Sequence, residues 1–118
     1  MRRKLLFPVL LVSTILTSSC WKTKQQLYTN VVNDSQITLR SIEVDYPGGT
    51  YGIPELKPGA SQKKWGFVTP PCRYALRFID EQGKLHSSEP IELGKEKCPT
   101  GVLLKVDGSL NVTGTTQE

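Results

Sequence analysis

From residue 26 onward, apolar and polar positions alternate with a period of two, and clusters of Gly, Pro, Asn and Asp break the alternation into short lengths. That rhythm predicts strands rather than helices. A first strand is expected over 27–32, ended by Asn33-Asp34-Ser35, and a second over 37–46. In the second, the apolar phase begins with Ile37 and Leu39 and then slips to Ile42, Val44 and Tyr46, as a bulge near Arg40-Ser41 would make it do. Pro47-Gly48-Gly49 reads as a turn before a short segment at 51–53. Pro54 and Leu56-Lys57-Pro58-Gly59 then punctuate the following connection.

A strand over 62–68 carries Trp65 and Phe67 on one face. Another over 72–79 puts Cys72, Tyr74, Leu76 and Phe78 on one face. Asp80-Glu81-Gln82-Gly83 is a hairpin loop. The 85–93 segment is interrupted by Pro90 and so belongs at a sheet edge. Val102, Leu104 and Val106 alternate; Asp107-Gly108 reads as a two-residue hairpin turn, with Leu110 and Val112 returning and 114–118 left as a flexible tail. Seven or eight such strands without an amphipathic helix predict an all-β domain over 27–113, a small immunoglobulin-like β-sandwich, with a small β-barrel as the alternative.

The first twenty residues follow a different pattern. Arg2-Arg3-Lys4 precedes an apolar stretch from Leu5 to Leu16, and Thr17-Ser18-Ser19-Cys20 follows. This is the layout of a secretory leader, and the apolar stretch falls short of the ~20 residues needed to span a bilayer. Leu16-Thr17-Ser18-Ser19-Cys20 resembles the lipobox of bacterial lipoproteins, although Thr17 stands where that family usually has Leu. The resemblance implies cleavage after residue 19, lipidation of Cys20 and a tether over 20–26. Trp21 would fall at headgroup level or serve as a linker aromatic, and Lys22 and Lys24 would meet anionic headgroups. Position 21 is not Asp, the residue associated in enteric bacteria with inner-membrane retention, which favours the outer membrane where one exists. A second resemblance, to small single-domain β-sandwich lipoproteins, lies in Val44-Asp45-Tyr46-Pro47-Gly48-Gly49, Gly52-Ile53-Pro54 and Leu56-Lys57-Pro58-Gly59. It brings no activity with it.

Composition sharpens this picture. The 118 residues carry 15 Lys+Arg against 11 Asp+Glu, a net +4 that invites a nucleic-acid reading. Removing Arg2, Arg3 and Lys4 with the leader leaves 12 cations and a charge of +1, and no nucleic-acid partner is expected. With Cys20 assigned to lipid by the lipobox resemblance, Cys72 and Cys98 remain, and export to an oxidising compartment favours their disulfide.

Candidate chemistry is sparse. One His and no Cys-x-x-Cys pair argue against a metal or other cofactor. His86, Ser87, Ser88 and Glu89 are consecutive on a strand, so their side chains point alternately to opposite faces and cannot converge as a triad. Lys63-Lys64 reads as a solvated pair at an edge, and Asn111-Val112-Thr113 as a glycosylation pattern without meaning in a bacterial protein. Tyr46, Tyr51, Trp65 and Tyr74 mostly suit the core. Tyr51, in a Gly-rich loop, and Trp65 are the candidate ligand contacts. The expected role is therefore a non-enzymatic, lipid-anchored binding or structural module at the cell envelope, with an envelope protein or a polysaccharide as partner; a carbohydrate-binding surface module is the first alternative and an envelope enzyme the second.

Overall fold

The computed structural model describes residues 24–117; the leader, Cys20 and Trp21 lie outside the described residues. The domain is an all-β sandwich of nine strands in two sheets, with no closed barrel. The strands are β1 (Gln25–Asn33), β2 (Leu39–Tyr46), β3 (Gly49–Leu56), β4 (Ser61–Val68), β5 (Arg73–Ile79), β6 (Leu85–Ser87), β7 (Ile91–Glu92), β8 (Gly101–Val106) and β9 (Val112–Gln117). One sheet has the order β4-β1-β8-β9. The other runs β3-β2-β5-β6, and β7 also pairs with β5. β1 lies parallel to β8, and the other pairings are antiparallel. Its strand allocation is its own: β1 and β2 go to different sheets, whereas the first two strands of a constant-type immunoglobulin domain share one.

The sequence's alternation becomes burial. Leu27 and Val31 on β1, Val102, Leu104 and Val106 on β8, and Cys72, Tyr74, Leu76 and Phe78 beside or on β5 all point between the sheets. Burying each aliphatic or aromatic side chain of this kind contributes about 1.5–3 kcal/mol, which is what holds the layers together. The expected phase slip in β2 is present. Against β5 the register passes from Arg40↔Ile79 to Glu43↔Arg77, three steps against two, so one extra residue bulges. Ser41 takes φ 48° there, and Leu39 and Ile42 consequently both face the core.

Several boundaries differ from the sequence reading. β3 is a full strand of eight residues that includes Pro54 and Leu56, because it lies at the edge of its sheet, where proline needs no ladder partner on its outer side. β1 begins at Gln25, inside the expected tether. Residues 114–117 are not a tail: β9 pairs with β8 as far as Gly101↔Gln117. Its Gly114 is inward and small because Ile91 occupies the space, only 2.9 Å from where a Cβ would stand.

The β8–β9 turn is not a two-residue one. Asp107 N donates to Asn111 O and Leu110 N to Asp107 O, which makes a three-residue loop with Leu110 left-handed at φ 65°. Asp107 Oδ1 accepts from Ser109 N and Asn111 N, both at 2.9 Å, and this side-chain use of Asp107 selects the longer loop.

The two ends of the sandwich are fastened differently. At one end, Cys72 and Cys98 form a disulfide, and Cys72 N and O pair with Gly94 O and Leu93 N. Gln25 Nε2 donates to Cys98 O at 2.6 Å while Cys98 N donates to Gln25 Oε1, so the start of β1 is clamped to the disulfide loop. At the other end, the buried Asn33 amide bonds to Ser35, Ile37 and Leu56.

Candidate functional site

The outward faces of the two sheets are chemically unlike. On the β3-β2-β5-β6 sheet, cross-strand neighbours form ion pairs. Arg40 meets Glu55, Arg73 meets Glu92, and Arg77 reaches both Glu43 and Asp45, the latter at 2.9 Å. The pairing with Glu43 and Asp45 raises the Arg77 pKa above its already high ordinary value. Such pairs contribute little to stability at a solvated surface, but they leave a face whose charges are matched.

The outward face of the β4-β1-β8-β9 sheet instead carries aromatic rings. Trp65 is 53% exposed and Phe67 61% exposed, two positions apart on β4, which is an edge strand. Tyr28 sits opposite Trp65 across the β1–β4 ladder, and their rings meet edge-on with centroids 5.1 Å apart. Tyr28 covers Gly101, where a Cβ would stand 2.1 Å from the ring. Lys63 Nζ lies 4.5 Å from the centroid of the same ring. Tyr28 is therefore held in place, and Trp65 and Phe67 present the free apolar surface.

Of the two expected contact residues, Trp65 is thus outside the core. Tyr51 is half-buried on edge strand β3 rather than in a loop, and packs against Tyr46 edge-on at 5.7 Å. Tyr46 also flanks the core, and Tyr74 is fully inside it, its hydroxyl 2.9 Å from Thr29 Oγ1. Burial raises the pKa of Tyr51 well above the usual tyrosine range, with Tyr74 and Tyr46 adding to the effect. Its Oη is buried without a hydrogen-bond partner in the protein. Tyr51 and Trp65 border one cleft, together with Lys64 and Tyr46, but its volume of about 20 Å³ is that of a single water molecule and too small for a sugar ring. Lys64 Nζ lies 5.3 Å from the Tyr51 ring centroid.

Sequence reasoning missed Tyr28. The signal was available, since Tyr28 is out of phase with Leu27 and Val31 and so must face outward.

His86 pairs with Asp80 rather than with its strand neighbours. Asp80 Oδ2 lies 2.8 Å from His86 Nε2, and Oδ1 accepts from Gln82 N and Lys84 N. The His86 bond first, and then the backbone bonds, hold the Asp80 carboxyl below the usual carboxylate range. The His86 ring stacks on Phe78 at 5.0 Å, and Ser88 Oγ accepts from Leu76 N. These groups lock the β5–β6 hairpin. Among the described residues, no three His, Cys, Asp or Glu side chains gather as metal ligands.

Comparison with known proteins adds one point. No family model matches the chain, and no curated protein matches it. The NMR structure of a protein from Eubacterium rectale is similar, with a TM-score of 0.55 over 79% of this chain and 89% of that one, at 11% identity. The likeness is one of fold. At that identity it says nothing of ligand or partner.

Proposed function

We propose that the protein is a lipid-anchored, non-enzymatic binding module of the bacterial cell envelope, held by acylated Cys20 and taking a protein partner along β4. The observation that carries the reading is the contrast between the two sheet faces. One is finished with matched cross-strand charges, and the other leaves Trp65 and Phe67 exposed on an edge strand. Paired exposed aromatics are the side chains that dominate protein interfaces, and an edge strand offers unpaired backbone groups to an incoming strand. Lys63 and Lys64 on the same strand oppose pairing with a second copy of this chain, since like charges would then be juxtaposed. They suit a partner strand bearing carboxylates. Two acyl chains at Cys20 supply the anchoring that one chain cannot, at about 0.8 kcal/mol for each buried CH2.

The test has two parts. Fatty-acid labelling of whole cells should mark the wild type and not Cys20→Ala. A photo-crosslinking residue at position 67 should capture one envelope protein, and Trp65→Ser should abolish the product while the domain stays folded, losing only about 0.5–1.5 kcal/mol from its edge-on contact with Tyr28. A hot-spot Trp is worth 2 kcal/mol or more, about a thirty-fold loss of affinity. Label retained by Cys20→Ala refutes the anchor. Glycan binding that is lost in Tyr51→Ala, with no crosslink from position 67, would replace the protein partner by a polysaccharide.

A further inference from the structure

The end of the sandwich where the chain enters carries a recess of about 630 Å³, bordered by Lys24, Lys95, Glu96, Lys97, Pro70 and Pro71. The three lysines are exposed. Their position is fixed from two sides. The Gln25 amide clamps the start of β1 to Cys98 and Pro99, and the Cys72–Cys98 disulfide ties the 93–98 loop to the start of β5. Lys24, Lys95 and Lys97 thus ride on one tied unit. Turns at the opposite end carry Asp34, Glu81 and Asp107 beside Lys57 and Lys84, so the lysines there are outnumbered by carboxylates whereas at this end three lysines face one, Glu96.

Only four residue steps separate Cys20 from Lys24, which at ~3.5 Å per residue allows about 14 Å. A lipidated Cys20 therefore keeps this end of the domain within at most about 14 Å of the bilayer surface, less than two Debye lengths of about 8 Å in physiological salt, and a slack tether brings it closer. Charge and tether agree on the occupant. We infer that the lysine-lined recess seats on anionic phospholipid headgroups, with Lys24, Lys95 and Lys97 facing the headgroup phosphates. This rests on the anchoring of Cys20 proposed above. Each lysine near an anionic surface is attracted by an amount that multiplies contact occupancy about five-fold, and Glu96 offsets one of the three. The domain then stands upright on the membrane, with its strands along the normal and the β4 edge open to the side.

The test uses the full-length lipidated protein in vesicles of phosphatidylcholine, with or without phosphatidylglycerol, pulsed with a membrane-impermeant amine-acylating reagent and read by mass spectrometry. On anionic vesicles Lys24, Lys95 and Lys97 should react at least about three-fold more slowly than on neutral ones. High salt should reverse the protection. Lys57 and Lys84, exposed at the opposite end, should react equally on both. In Lys95→Glu/Lys97→Glu the protection at Lys24 should disappear while the protein stays with the vesicles. Equal reactivity of Lys95 and Lys97 on both vesicle types overturns the seating but leaves the anchor intact. Protection by inorganic phosphate without vesicles, to the same degree, would assign the recess to a soluble anion and overturn the lipid assignment. A mature chain without acyl groups on Cys20 overturns the anchor and the seating with it.

Discussion

Asn33 is the residue whose removal the structure penalises most specifically. It ends β1 with its side chain buried at 0% exposure. Nδ2 donates to Ile37 O and Leu56 O, both at 2.8 Å, and Oδ1 accepts from Ser35 N at 3.0 Å and Ser35 Oγ at 2.6 Å. All four bonding positions of the amide are used, and they join β1 to the β1–β2 connection and to the end of β3 in the other sheet. Asn33→Ala deletes four bonds and leaves the Leu56 carbonyl and the Ser35 amide buried without partners. At about 1 kcal/mol per net bond, with partial rehydration near Ile37, the loss is about 3 kcal/mol. For a domain of this size that lowers the melting temperature by about 12–24 °C. Urea unfolding should show a lower midpoint at an unchanged slope. Asn33→Asp should cost more at neutral pH, because a carboxylate would then face two carbonyl oxygens. Its pKa would be raised in the folded state, so that deficit should grow as pH rises above the unfolded value of about 3.9 and shrink below it. A loss under 1 kcal/mol for Asn33→Ala would refute the reasoning.

Three further outcomes follow from the same geometry. Cys72→Ser/Cys98→Ser should lose about 3–4 kcal/mol, the chain-entropy value for releasing the 25-residue loop at 73–97, read as a drop in urea midpoint matched by reducing the wild type. Acid unfolding should depend on Asp80. A carboxylate with a depressed folded pKa stabilises fully above the unfolded pKa of about 3.9 and loses that contribution as pH falls through the folded value, so Asp80→Asn should flatten the stability profile below about pH 4. Tyr74→Phe should cost about 1–2 kcal/mol because Thr29 Oγ1 loses its partner, whereas Tyr51→Phe should stay within about 1 kcal/mol of wild type or gain; denaturation giving the reverse order would contradict the bonding described.

Much of the fold is written in the alternation itself. β1, β5 and β8 were legible because each has one face wholly in the core, and even the β2 bulge showed as a slipped phase. β9 was not legible. Its sequence Val-Thr-Gly-Thr-Thr-Gln has almost no apolar phase, since its inward position is Gly114 beneath Ile91, and it is a strand because β8 offers it an edge. The Asp107 turn was misjudged because Asp-Gly favours two residues only when the Asp side chain is not itself capping Ser109 and Asn111.

The candidate site shows the same limit more sharply. Period two put Trp65 and Phe67 on one face of their strand but could not say which face. On an inner strand hydrophobicity would have decided it, and the aromatics would have gone inward. β4, however, is the edge strand of its sheet, and small Gly66 beside the Tyr46 ring, with buried Val68, fills its inward face. The larger rings are left outside. Their placement is therefore not dictated by the core, and a change such as Trp65→Ser should leave the fold intact at the cost of one edge-on contact with Tyr28, while removing the proposed partner's foothold. Anchoring at Cys20, as proposed, would add an orientation to that face. Phe67 pairs with Gln26, one residue into β1, so the aromatic pair lies at the end of the sheet closest to Cys20. On a domain anchored and seated as proposed, a partner that meets these rings would itself lie close to the membrane. Lengthening the tether between residues 20 and 24 should then weaken the crosslink from position 67, even though no contact residue has changed.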